Sequence, residues 1–184
     1  GLGNAGSYAA PTFVDIDADG DLDAFVGSLY GKIVFFRNTG TASAPVFSEP
    51  QSNPFGLVGA GVKVAPTFAD IDGDGDLDAF VGNKDGEIVF FRNTGTASAP
   101  VFSAPQTNPL AFVDVGSYAA PTFVDFDGDG DLDAFVGNKD GEIVFFENTG
   151  SSTSPEFSEP QTYPFELDYV GFAASPTFAD IDDD

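Results

Sequence analysis

Short runs of apolar residues, cut by glycine, proline and acidic turns, set the character of this chain. The run Ile33 to Phe36 is apolar at four successive positions, and the same IVFF returns at Ile88 to Phe91 and Ile143 to Phe146. In a strand, Ile33 and Phe35 face one side of the pleat and Val34 and Phe36 the other, so both faces require cover. A second run, DAFVG, precedes each IVFF, and a PTF segment precedes that. No stretch holds a helical period. The pattern predicts four short strands per unit, near Thr12 to Asp17, Leu22 to Val26, Ile33 to Arg37 and Val46 to Ser48, joined by Gly- and Pro-bearing turns.

The units repeat. Pro11, Pro66, Pro121 and Pro176 each open a PTF segment, at a constant spacing of 55 residues. A fixed period of this length marks a solenoid, propeller or array. The expected division is 1–10 as the end of a preceding repeat, 11–65, 66–120 and 121–175 as full repeats, and 176–184 as the start of an incomplete fourth. The expected fold is all-β: tandem four-stranded antiparallel blades stacked face to face, either part of a closed propeller or an open superhelical array. The 21 Phe residues are assigned to the core between blades.

Between the first two strands of each unit lies an acidic loop: DIDADGDLD at Asp15 to Asp23, DIDGDGDLD at Asp70 to Asp78 and DFDGDGDLD at Asp125 to Asp133. Carboxylates at relative positions 1, 3, 5 and 9, with glycine at 6, suit a loop whose alternate side chains converge on one hard cation. Calcium accepts six to eight oxygens in flexible geometry and fits such a set. In the first loop the expected side-chain ligands are Asp15, Asp17, Asp19 and Asp23, with Asp21 giving its backbone carbonyl. The helix-loop-helix type of calcium site is excluded, because its glutamate position holds Val26, Val81 and Val136. Four carboxylates facing one point make six repulsive pairs, together roughly 6–24 kcal/mol as an upper bound, comparable to the roughly 5–15 kcal/mol stability of a domain. The bland alternative is a solvated Asp-Gly hairpin turn.

Charge and composition narrow the function. The 184 residues carry 30 acidic and 6 basic side chains, a formal charge of −24, and no Cys, His, Met or Trp. Phosphate-backbone binding is excluded on that charge. Thiol and imidazole catalysis and ordinary zinc or copper sites are excluded for want of ligands. The clustered carboxylates are committed to the loops, so no enzyme is expected. No apolar run is long enough for a membrane helix. The hydroxyl-rich NTGTASAP turns offer Thr39, Thr41 and Ser43 as O-glycosylation candidates, with plain solvated turns as the simpler account.

The stretch PTFADIDGDGDLDAFVGNKDGEIVFFRNTGTASAPVF resembles the FG-GAP/VCBS type of repeat, found in the β-propeller of integrin α chains and in very large secreted bacterial proteins. The resemblance covers essentially the whole chain. It implies one blade, or most of one, per repeat, with Ca2+ in the hairpin loop. By the same resemblance the cation ligands are Asp15, Asp17, Asp19, Asp21 and Asp23; Asp70, Asp72, Asp74, Asp76 and Asp78; and Asp125, Asp127, Asp129, Asp131 and Asp133. A partial fourth set is Asp180, Asp182 and Asp184. The chain reads as a window on a longer protein. Two functions are expected from different classes: a calcium-stabilised extracellular structural module of a stalk, surface filament or matrix fibre, and an adhesin or lectin-like propeller binding a glycan or cell-surface protein. The expected partners of the first are further repeats or copies of the same protein.

Overall fold

In a computed structural model, which describes residues 6–179, the chain forms three four-stranded antiparallel sheets, each in the simple order first to fourth strand. The first holds β1 (Ala10–Val14), β2 (Asp23–Gly27), β3 (Ile33–Phe36) and β4 (Gln51–Ser52). The second holds β5 (Ala65–Ala69), β6 (Asp78–Gly82), β7 (Ile88–Phe91) and β8 (Gln106–Thr107). The third holds β9 (Ala120–Val124), β10 (Asp133–Gly137), β11 (Ile143–Phe146) and β12 (Gln161–Thr162). Register is the same in all three: Phe25 lies opposite Phe35, Phe80 opposite Phe90 and Phe135 opposite Phe145.

Both faces of the central strands are buried, as the double-sided apolar pattern requires. Phe25, Ile33 and Phe35 of the first blade pack on Ala79, Val81, Val89 and Phe91 of the second. Phe80, Ile88 and Phe90 repeat this against Ala134, Val136, Val144 and Phe146 of the third. A three-ring stack recurs at each step. Phe25 meets Phe35 at 4.7 Å and Phe68 of the next blade at 4.5 Å; Phe80 meets Phe90 at 4.8 Å and Phe123 at 4.3 Å. Rings at these centroid separations contribute beyond their buried area. Phe13, Phe126, Phe165, Phe172 and Phe178 depart from the core assignment, being 36–71% exposed.

The first strands lie innermost. Pro11 and Thr12, Pro66 and Thr67, Pro121 and Thr122, and Pro176 and Thr177 line one cavity of about 440 Å³, so the blades fan around a shared axis. Backbone bonds tie each blade to the next: Val64 N–H donates to Ser28 O at 3.2 Å, Ala119 N–H to Asn83 O at 3.0 Å and Ala174 N–H to Asn138 O at 2.9 Å. Gly27, Gly82 and Gly137 permit the closeness, because a Cβ there would run into the carbonyl oxygens of Val64, Ala119 and Ala174.

All four strand expectations are corrected. The first strand ends at Val14 rather than Asp17, since from Asp15 the chain turns into the acidic loop. The second starts at Asp23, not Leu22, and the third stops at Phe36. The segment Val46 to Ser48 is no strand: Phe47 makes one isolated bridge to Asn38, and the fourth strand is Gln51–Ser52. The cause is side-chain competition for the ladder. Asn38 Oδ1 takes the Val46 N–H at 2.9 Å, and Ser48 Oγ takes the Arg37 N–H at 3.0 Å.

Candidate metal centre

Each acidic loop connects the first strand of a blade to its second. In the first loop Asp15 shapes the turn: its Oδ1 accepts Asp19 N–H at 3.1 Å and its Oδ2 accepts Gly20 N–H at 3.0 Å. Asp70 does the same for Asp74 and Gly75 at 3.1 and 3.0 Å. Gly20 (φ 92°), Gly75 (φ 88°) and Gly130 (φ 95°) hold the left-handed conformation the turn needs, which glycine adopts without steric cost. Position 6 is thus glycine for a backbone reason.

The loop brings carboxylates together. Asp15, Asp17 and Asp19, Asp70, Asp72 and Asp74, and Asp125, Asp127 and Asp129 each place one oxygen per residue within 4.8 Å of the others. The ninth-position aspartates Asp23, Asp78 and Asp133 open the second strands and are buried, 1–2% exposed. Each is anchored through Oδ1, which accepts the N–H of Asn38 at 2.6 Å, Asn93 at 2.6 Å and Asn148 at 2.8 Å. Asp180, Asp182 and Asp184, the partial fourth set, lie outside the described residues.

A donor set built for a cation should leave oxygens without protein partners. Asp17 Oδ1, Asp21 Oδ1, Asp23 Oδ2, Asp72 Oδ1, Asp78 Oδ2 and Asp131 Oδ1 are buried and accept no hydrogen bond. Buried polar atoms are ordinarily paired, and an unpaired carboxylate oxygen is costly. The residues present therefore fit a hard cation. Asp21 and Asp131 turn side-chain oxygens out of solvent, whereas position 7 was expected to offer its carbonyl. Burial pushes the Asp78 carboxyl up to about 7, opposed by the Asn93 N–H and reinforced by Asp72 and Asp74. Burial likewise raises Asp23 to about 6, and Asp133 moves in the same direction.

Two sets of partners were not legible as site residues. Asn38, Asn93 and Asn148 carry the ninth-position aspartates and, through Oδ1, close the NTG turns, with Gly40 N–H and Val46 N–H at 3.0 and 2.9 Å in the first repeat. Their signal was the invariable N of NTG one residue past Arg37, Arg92 and Glu147. Arg37 and Arg92 pair with Asp17 Oδ2 and Asp72 Oδ2.

Tandem antiparallel blades, each with an acidic hairpin loop able to gather oxygen ligands, define a β-blade repeat protein with candidate metal centres. The pattern of the FG-GAP-like repeat matches residues 15–81, 70–136 and 125–184, and the chain belongs to that family. No curated protein matches the chain. Folds of this repeat are typically non-enzymatic, and the repeats usually occur in extracellular proteins. Among the described residues, no helix is long and apolar enough to cross a membrane.

Proposed function

We propose that this chain is a calcium-braced structural segment of an extracellular repeat protein, serving in a stalk, surface filament or matrix fibre. The observation that carries the reading is the set of buried, unpaired oxygens on Asp17, Asp23, Asp72, Asp78 and Asp131. An ion in each loop gives these oxygens a partner and offsets the repulsion within the triads. Asp15, Asp17, Asp19 and Asp23, with their repeat equivalents, would hold it. Calcium at about 0.1–1 mM, the range of extracellular modules, suits exposed loops of this type. The ion ties the innermost strand to the next one in every blade, so stiffness of the array depends on it.

The partner reading follows from packing. Phe135, Ile143 and Phe145 correspond to the residues on which the first and second blades receive their successors, and Phe126, Phe165 and Phe178, the rings beside them, are 36–56% exposed. Another repeat, in the same chain or in a second copy, fits that face.

Calcium titration by calorimetry, with thermal melts in calcium and in chelator, tests the proposal. Binding of one ion per complete loop and a melting temperature that falls on chelation are expected. A melt indifferent to calcium, with no binding heat at millimolar ion, would remove it.

The adhesin reading has one observation in its favour. Tyr8, Lys63, Tyr118 and Phe172 line a cavity of about 280 Å³, with Lys63 Nζ 4.2 and 3.9 Å from the Tyr8 and Tyr118 ring centres. Saccharide binding that the Tyr118→Ala variant abolishes would favour this function over the structural one.

A further inference from the structure

The residue just past the third strand of each blade differs between repeats, and the loops differ with it. Arg37 reaches back to its own loop, pairing with Asp17 and lying 3.9 Å from Asp19 Oδ2. Arg92 pairs with Asp72 and lies 4.0 Å from Asp74 Oδ2. The third repeat has Glu147 in this place. Glu147 and Asp127 line one cavity of about 310 Å³ together with Phe126, Phe145, Gln161 and Phe165.

Loops one and two share one conformation, in which Ile16 and Ile71 are 2% and 3% exposed. Loop three is rearranged. Asp125 Oδ1 accepts Gly128 N–H at 2.9 Å, a bond without a counterpart in the other two loops. Asp133 Oδ2 turns to the Phe126 N–H at 3.3 Å, whereas Asp23 Oδ2 and Asp78 Oδ2 accept no hydrogen bond. Asp131 is 7% exposed, and its Oδ1 is buried without a partner.

We infer that the three loops are two kinds of cation site, set by Arg37, Arg92 and Glu147 as positioning residues. In loops one and two the arginine holds Asp17 or Asp72 through Oδ2 and leaves Oδ1 for the ion, so the loop keeps its shape without metal. A partner that orients a ligand from behind tunes the affinity of the site. Its positive charge also weakens the attraction: five aspartates and one arginine give −4, against −6 for five aspartates and Glu147 in loop three. Loop three takes its shape from the ion, binds it more tightly and fills first. This inference rests on the calcium reading above.

Calorimetric calcium titration of the whole chain, followed in parallel by amide NMR signals, provides the test. One tight class and one weaker class are expected, separated by at least about tenfold for a two-charge difference near the ion. The signals of Asp125 to Asp133 shift with the first equivalent, before those of Asp15 to Asp23 and Asp70 to Asp78. Glu147→Arg, which installs the residue the other repeats carry, merges the classes. The pair Arg37→Gln and Arg92→Gln instead tightens the weaker class and gives an independent reading should the first variant fold poorly. A single class unchanged by these substitutions overturns the inference while leaving the calcium reading intact. Absence of binding in every form overturns both.

Discussion

Asp23 and Asn38 are joined by a 2.6 Å hydrogen bond from the Asn38 N–H to Asp23 Oδ1, while Asp23 Oδ2 faces no donor. One carboxylate thus belongs to two structures: it fixes the NTG turn through one oxygen and keeps the other for the acidic loop. The same division holds at Asp78 and Asn93.

Replacing Asp78 by Asn separates these roles. The amide keeps an oxygen for the Asn93 N–H and removes the buried charge. We expect one fewer calcium ion per chain, with the chelated protein as stable as the parent or more so. Stoichiometry by calorimetry and a melt in chelator check this; a large loss of stability without metal would show that the carboxylate is structural only.

Asn93→Ala removes the acceptor of Gly95 N–H at 2.9 Å and Val101 N–H at 3.1 Å. Two partly buried donors then lack partners, at about 2–4 kcal/mol in total. Urea denaturation in calcium should register this loss, and Asn93→Asp, which retains an acceptor, should recover much of it.

Phe80→Ala opens a void between the second and third blades, where Phe80 meets Phe90 and Phe123. A cost of about 3–5 kcal/mol is expected. Gly82→Ala acts at the same junction by overpacking, since the new methyl group meets the Ala119 carbonyl. Its cost should be about 1–3 kcal/mol, and hydrogen exchange should locate it at Asn83 and Ala119; protection there equal to the parent's would refute the contact.

Acidity and calcium should oppose each other. With Asp23 raised to about 6 and Asp78 to about 7, the metal-free folded chain holds protons that the unfolded chain releases near 3.8. Their contribution is full below the unfolded value and lost as pH rises through the folded values, so chelated protein loses stability from about pH 4 to pH 7. Calcium requires the ionised form, and in its presence stability should rise over that window. Denaturation midpoints with and without chelator would coincide near pH 4 and diverge as pH rises; parallel profiles would contradict the shared site.

The period of PTF, the acidic loops and the double-sided IVFF strands were readable because each follows from a short local rule: spacing, ligand alternation and pleat. Val46 to Ser48 misled for an equally local reason, since Asn38 and Ser48 divert the N–H groups that a ladder would use. The arginine pairs with Asp17 and Asp72 join residues 20 apart in sequence across the hairpin, and no periodicity within a strand announces them. The loss of that pair at Glu147 becomes meaningful once the third strand is seen to end beside the loop.

The two-residue strands β4, β8 and β12 are each polar and exposed, Gln-Ser or Gln-Thr. A sheet margin this brief presents little free backbone to a foreign strand, and such shortness is one way proteins blunt edge-to-edge pairing. Crowded copies of this chain are therefore protected against sideways fusion into cross-β aggregates even though their central strands are almost wholly apolar.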